Sequence, residues 1–106
     1  MKKFSLSLLS AFVVLALALS ASAKSSTVNG WVSDSVCGAK GAQPGQEACT
    51  KKCLEKGAKM VVVTDGDQKV LMVDNPDALK GHEGHHVTVT GDVKGDTIHV
   101  QSAKMM

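Results

Sequence analysis

Cys37, Cys49 and Cys53 are the residues of this 106-residue chain best equipped for chemistry, and they fall within one short stretch, Cys37 to Cys53. Three thiols are an odd number. A single bridge uses two, and the third then packs as a small hydrophobe, joins two copies into a disulfide-linked dimer, or reacts. Cys49 and Cys53 are four residues apart, so a helix sets them on one face with Cβ atoms about 5–6 Å apart. A disulfide prefers ~3.8 Å. They are poor partners for each other, and each is a suitable partner for Cys37. A bridge from Cys37 to either would close a loop of ~15 residues, worth about 3 kcal/mol in the chain-entropy account.

The same thiols could instead hold a metal. Three thiolates and one imidazole make a tetrahedral shell for zinc, and soft sulfur also suits copper(I). His82, His85 and His86, clustered in a glycine-containing loop, are the candidate fourth ligands. The closely spaced C-x2-C knuckles of common zinc modules are absent. Thiol exchange is a further option. Cys49 falls in the first turn of its helix near Lys51 and Lys52, a setting that favours a thiolate. However, C-x3-C is not the C-x2-C redox spacing, and no C-x2-C-H haem site is present. Ser33, Asp34 and Ser35 lie together without any hydrolase motif, so Asp34 and Ser35 are expected to bond the backbone of their own turn. Trp31 either covers the sheet beneath the cysteines or faces a ligand.

These residues need elements to position them. Val28, Gly30 and Val32 alternate along a strand over 27–32, with Trp31 on the other face. Residues 39–46 hold glycines, small residues and Pro44 and should form an irregular loop. A helix follows from Gln46 or Glu47 to Lys56, with Glu47 early, Lys52 and Lys56 late and Gly57 as its stop. Strands are predicted over 60–64 and 70–73 around an Asp-Gly turn, over 87–93, and over 97–100 after a tight turn at Lys94-Gly95-Asp96. Pro76 opens a short helical turn between the third and fourth strands. Residues 60–64 are apolar on both faces, so something should cover each side. Five strands with a helix between the third and fourth are the layout of a small OB-like β-barrel, here with a second, cysteine-bearing helix between strands 1 and 2. The connection between strands 1 and 2 is a usual binding loop of that fold.

Lys2 and Lys3, an apolar run from about Leu6 to Leu19, and Ala21-Ser22-Ala23 have the form of a secretory signal peptide over residues 1–23. The run is shorter than the ~20 residues that span a bilayer. The reading is an exported protein, periplasmic or secreted, with one domain over 24–106 and no membrane span after cleavage. Removing the leader takes away two of the twelve lysines and leaves ten against ten acidic residues, with no arginine and with Trp31 as the only Trp, Tyr or Phe. Nucleic-acid binding needs a cationic track and stacking platforms, and neither is here.

Gly30-Trp31-Val32-Ser33-Asp34-Ser35-Val36-Cys37-Gly38, the Cys49/Cys53 pair, Lys56-Gly57-Ala58-Lys59 and Val87-Thr88-Val89-Thr90-Gly91 together resemble a family of small exported bacterial OB-fold-like proteins of unknown function. The resemblance implies an OB-like barrel and an envelope or secreted setting, and no catalytic residues. Where relatives carry a histidine shortly after the first cysteine, this chain has Lys40-Gly41-Ala42. The leading expectation is a non-enzymatic binding or envelope-interaction module for an envelope protein or a small ligand, stapled by a disulfide from Cys37 to Cys49 or Cys53, with no cofactor. The alternative is a zinc, copper or thiol-redox protein using Cys37, Cys49 and Cys53 with a loop histidine.

Overall fold

A computed structural model describes residues 25–106; the proposed leader lies outside the described residues. The alternation of Val28, Gly30 and Val32 places them on the inner side of the first strand, β1 (Ser26–Asp34), where Gly30 and Val32 are buried. β1 is shared between two partners. Its first part, Ser26 to Trp31, pairs antiparallel with β4 (His86–Lys94), and its last part, Gly30 to Asp34, pairs antiparallel with β2 (Met60–Thr64). Gly30 stands at the changeover, and a Cβ there would run into the backbone of Val63. Glycine is what lets two strands approach this closely.

β2 turns back through residues 65–69 into β3 (Val70–Val73), and β5 (Thr97–Met105) pairs antiparallel with β4. A parallel contact of two residue pairs, Met72 with Thr97 and Val73 with Ile98, closes the sheet into a ring of order β1-β2-β3-β5-β4. Where β3 stops, the Asn75 side chain continues its edge. It accepts from the Val100 amide at 2.8 Å and donates to the Val100 carbonyl at 2.7 Å. A 3-10 turn at Pro76–Leu79 follows and buries Leu79 in the core.

The interior is aliphatic throughout, formed by the inward residues of every strand, from Val32 and Val62 to Val89 and Ile98. Burying each such side chain contributes about 1.5–3 kcal/mol. The outward residues of β2, Val61 and Val63, are buried as well. Val61 lies beside Ser33 of β1, and the cysteine excursion packs over this patch through a 3-10 turn at Gly38–Gly41. That meets the expectation that both faces of β2 are covered.

Helix α1 (Glu47–Glu55) lies where its capping charges put it, with Glu47 in the first turn and Lys52 in the last. Its Thr50 is buried, and Leu54, four residues on, packs against the core. Two elements run further than the sequence suggests. β1 does not break at Ser33 but carries Ser33 and Asp34, both fully buried, into its pairing with β2. β5 extends to Met105 through the polar run Gln101 to Lys104, because β4 supplies a ladder for it. Hydrogen bonding fixes strand length there, and hydropathy does not reveal it.

Candidate functional site

The end of β1 and one face of α1 together build the cysteine cluster. Thr50 and Leu54 face the barrel, so Cys49 and Cys53, one residue earlier in each case, occupy the adjoining face. Cys37 reaches that face from the turn after β1. Asp34 sets the turn: its Oδ1 accepts from the amides of Val36 and Cys37, each at 2.9 Å. Ser33 Oγ donates to the Gly38 carbonyl at 3.0 Å. Ser35 Oγ accepts from the amide of Lys59, just before β2, at 2.9 Å. Asp34 therefore bonds its own turn as expected, whereas Ser35 ties that turn to the distant strand.

The result is a tight group. The three sulfurs lie within 4.8 Å of one another. For comparison, a tetrahedral shell with metal–sulfur bonds of about 2.3 Å sets its sulfurs about 3.8 Å apart. All three cysteines are free thiols, so the crosslink expected from Cys37 is not formed here. Cys37 and Cys53 are half-buried and Cys49 is exposed. A disulfide needs an S–S distance of about 2.05 Å and a specific dihedral, and three sulfurs sharing one centre do not single out a pair.

Burial pushes the Cys37 thiol up from 9.0 to about 11, with the nearby Asp34 charge and the neighbouring sulfurs adding to the effect. Cys53 is raised too, again by burial first and by Asp34 second. Ionising these thiols concentrates negative charge at a point where the protein already keeps a carboxylate. A cation at that point reverses the balance.

The histidines are not brought into the cluster; among the described residues, its ligand-type groups are the three cysteines. His85 Nε2 lies 3.2 Å from Glu47 Oε2 at the start of α1. His86 Nε2 contacts both Asp65 oxygens, at 2.8 and 3.1 Å, and its ring stacks on Trp31 with centroids 4.6 Å apart and planes 5° from parallel. The stack follows from register, since Trp31 and His86 are direct partners across β1 and β4. His82 is half-buried, and its Nδ1 has no hydrogen-bond partner among the described residues. His99, on β5, pairs with Asp74 at 2.8 Å. The histidine loop still matters to the cluster, because it seats α1. Gly84, at φ +78°, lies so close that a Cβ there would overlap Glu47. The Gly84 amide donates to the Val32 carbonyl at 2.9 Å.

Sequence reasoning missed the burial of two residues. Asp34 reads as a turn former, yet it is fully buried and its Oδ2 has no partner; Thr50, between the two helical cysteines, buries an unpartnered hydroxyl. The spacing Asp34-x-x-Cys37 is the one available signal, since an aspartate two or three residues ahead of an amide is set to accept from it.

No family model, curated protein or solved structure matches the chain.

Proposed function

We propose that this is an exported, OB-like barrel whose working part is a three-thiol site for a soft or borderline metal ion, zinc or copper(I), held by Cys37, Cys49 and Cys53. One observation carries the reading: three sulfurs from two separate elements meet within 4.8 Å of one another and remain unbridged. The ring order β1-β2-β3-β5-β4, with a helix between the first two strands, supports the OB-like assignment and puts the site on the connection where that fold usually binds. The leader-like residues 1–23 support export. Nothing in this reading requires a catalytic residue; it describes a binding module of the envelope or the secreted space. Loop histidines are left out of the proposed ligand set, since His85 and His86 contact Glu47 and Asp65 and the close group is formed by the three sulfurs.

A second reading uses the same sulfurs. In an oxidising compartment, Cys37 bridges Cys49 or Cys53, and the remaining thiol can exchange with that bridge or join a second copy. Protein taken from its native compartment separates the two by intact mass, with and without alkylation, and by elemental analysis. One equivalent of metal, with three alkylatable thiols after chelation, supports the metal site. One bridge, one thiol and no metal supports the staple.

A further inference from the structure

Asp34 closes β1 with its side chain fully buried. Oδ1 is committed to the amides of Val36 and Cys37. Oδ2 is equally out of reach of water and accepts no hydrogen bond among the described residues. A buried carboxylate oxygen without a donor is expensive, and native proteins retain such atoms mainly where something else comes to them. The same carboxylate is tied to the sulfur cluster through its other oxygen, which holds the amide of Cys37 at 2.9 Å. Oδ2 hydrogen-bonds to none of the three sulfurs and is not one of the atoms of the close group that they form.

We infer that the site takes a divalent cation of the zinc class, and that Asp34 is its positioning residue, its free Oδ2 accepting a hydrogen bond from the water that fills the fourth position beside the three sulfurs. The inference rests on the three-thiol reading and adds the charge and coordination number of the ion. Zinc-class ions ask for four donors, and the cluster supplies three. Copper(I) is satisfied by soft sulfur alone and has little use for a water or its acceptor. With three thiolates and a buried carboxylate gathered together, a divalent ion cancels more of the negative charge than a monovalent one does. Groups that orient a metal's inner ligands are typically worth 10–100-fold in affinity.

The test compares three ions on one variant. Asp34→Asn keeps the oxygen that holds the Val36 and Cys37 amides but turns the unpartnered atom from an acceptor into a donor. Reduced, metal-free protein is titrated with zinc(II), with cobalt(II) as a spectroscopic probe, and anaerobically with copper(I), each against a chromophoric competitor. The expected result is a 10–100-fold loss of zinc and cobalt affinity in the variant, with an altered cobalt visible spectrum and copper(I) affinity held within threefold. Equal losses for all three ions would make Asp34 a structural residue of the turn and overturn the inference. Unchanged zinc affinity would overturn it too, while leaving the three-thiol site standing. If wild-type protein binds none of the three ions, the underlying reading fails along with it.

Discussion

The cysteine cluster and the histidine loop border the same helix, and both are rich in ligand-type residues, yet only one gathers its ligand atoms at a single point. Three of the four histidines already face a carboxylate: His85 meets Glu47, His86 meets Asp65 and His99 meets Asp74. They knit strands and helix together. The cysteines face one another, and the Asp34 carboxylate works against the ionisation of Cys37 and Cys53. A residue type marks a ligand only when its atoms are uncommitted and convergent. By that standard the sulfurs qualify and the imidazoles do not.

Removing a sulfur breaks this contrast most sharply. Cys37→Ser or Cys53→Ser should cost at least 100-fold in metal affinity, because one of three strong donors is lost. His85→Ala and His86→Ala should leave it within threefold, as read by competition titration. A histidine variant as damaging as a cysteine variant would erase the distinction. The next largest effect concerns the loop as a structural seat. Gly84→Ala forces a side chain into Glu47 at a left-handed φ, and should destabilise the fold by about 2 kcal/mol or more in denaturant unfolding.

Acidity sharpens the comparison from the cluster side. Folding raises the Cys37 pKa from 9.0 to about 11, so the folded state holds its proton where the unfolded chain has released it. Stability from this source is complete below about pH 9 and is lost as the pH climbs through 11. Metal-free, reduced protein should therefore weaken across that alkaline window, and alkylation of Cys37 should stay slow until the same range. Asp34→Asn should bring thiolate formation to lower pH, as followed by ultraviolet thiolate absorbance. The smallest effect belongs to the outer face. His86→Ala removes a stacked ring and a partly exposed contact with the Asp65 carboxylate and should cost about 1 kcal/mol, with a shift in the fluorescence of Trp31, the only tryptophan.

Much of the frame was legible in the chain because local chemistry and burial agree there. Val87 and Val89 alternate with threonines and face the core, and α1 begins and ends within a residue or so of where Glu47, Lys56 and Gly57 put it. The proximity of Cys37 to the helical sulfurs was legible too, from the i, i+4 spacing and the short excursion. The state of those sulfurs was not. Geometry that suits a bridge to either helical cysteine also suits a shared metal, and spacing alone cannot choose. The burial of Asp34 escaped notice for another reason. A turn former at the end of a strand looks solvated, and only the packing of the excursion over β1 and β2 shows that it is sealed in. The histidines misled because clustering along the sequence was taken for convergence in space, whereas the strand register of His86 and the helix contact of His85 send them apart.

β1 is paired on both edges, to β4 along its first part and to β2 along its last. The turn bearing Cys37 grows directly from that doubly held strand. Loading the cluster with an ion at 100 times its dissociation constant would thus protect the whole ring by about 2.7 kcal/mol, since opening the barrel would dismantle the pocket that grips the ion. A synthetic peptide spanning residues 37–53 would lack that grip, so on the three-thiol reading the loop would not be a transplantable tag. Any hold on an ion would be a property of the assembled domain.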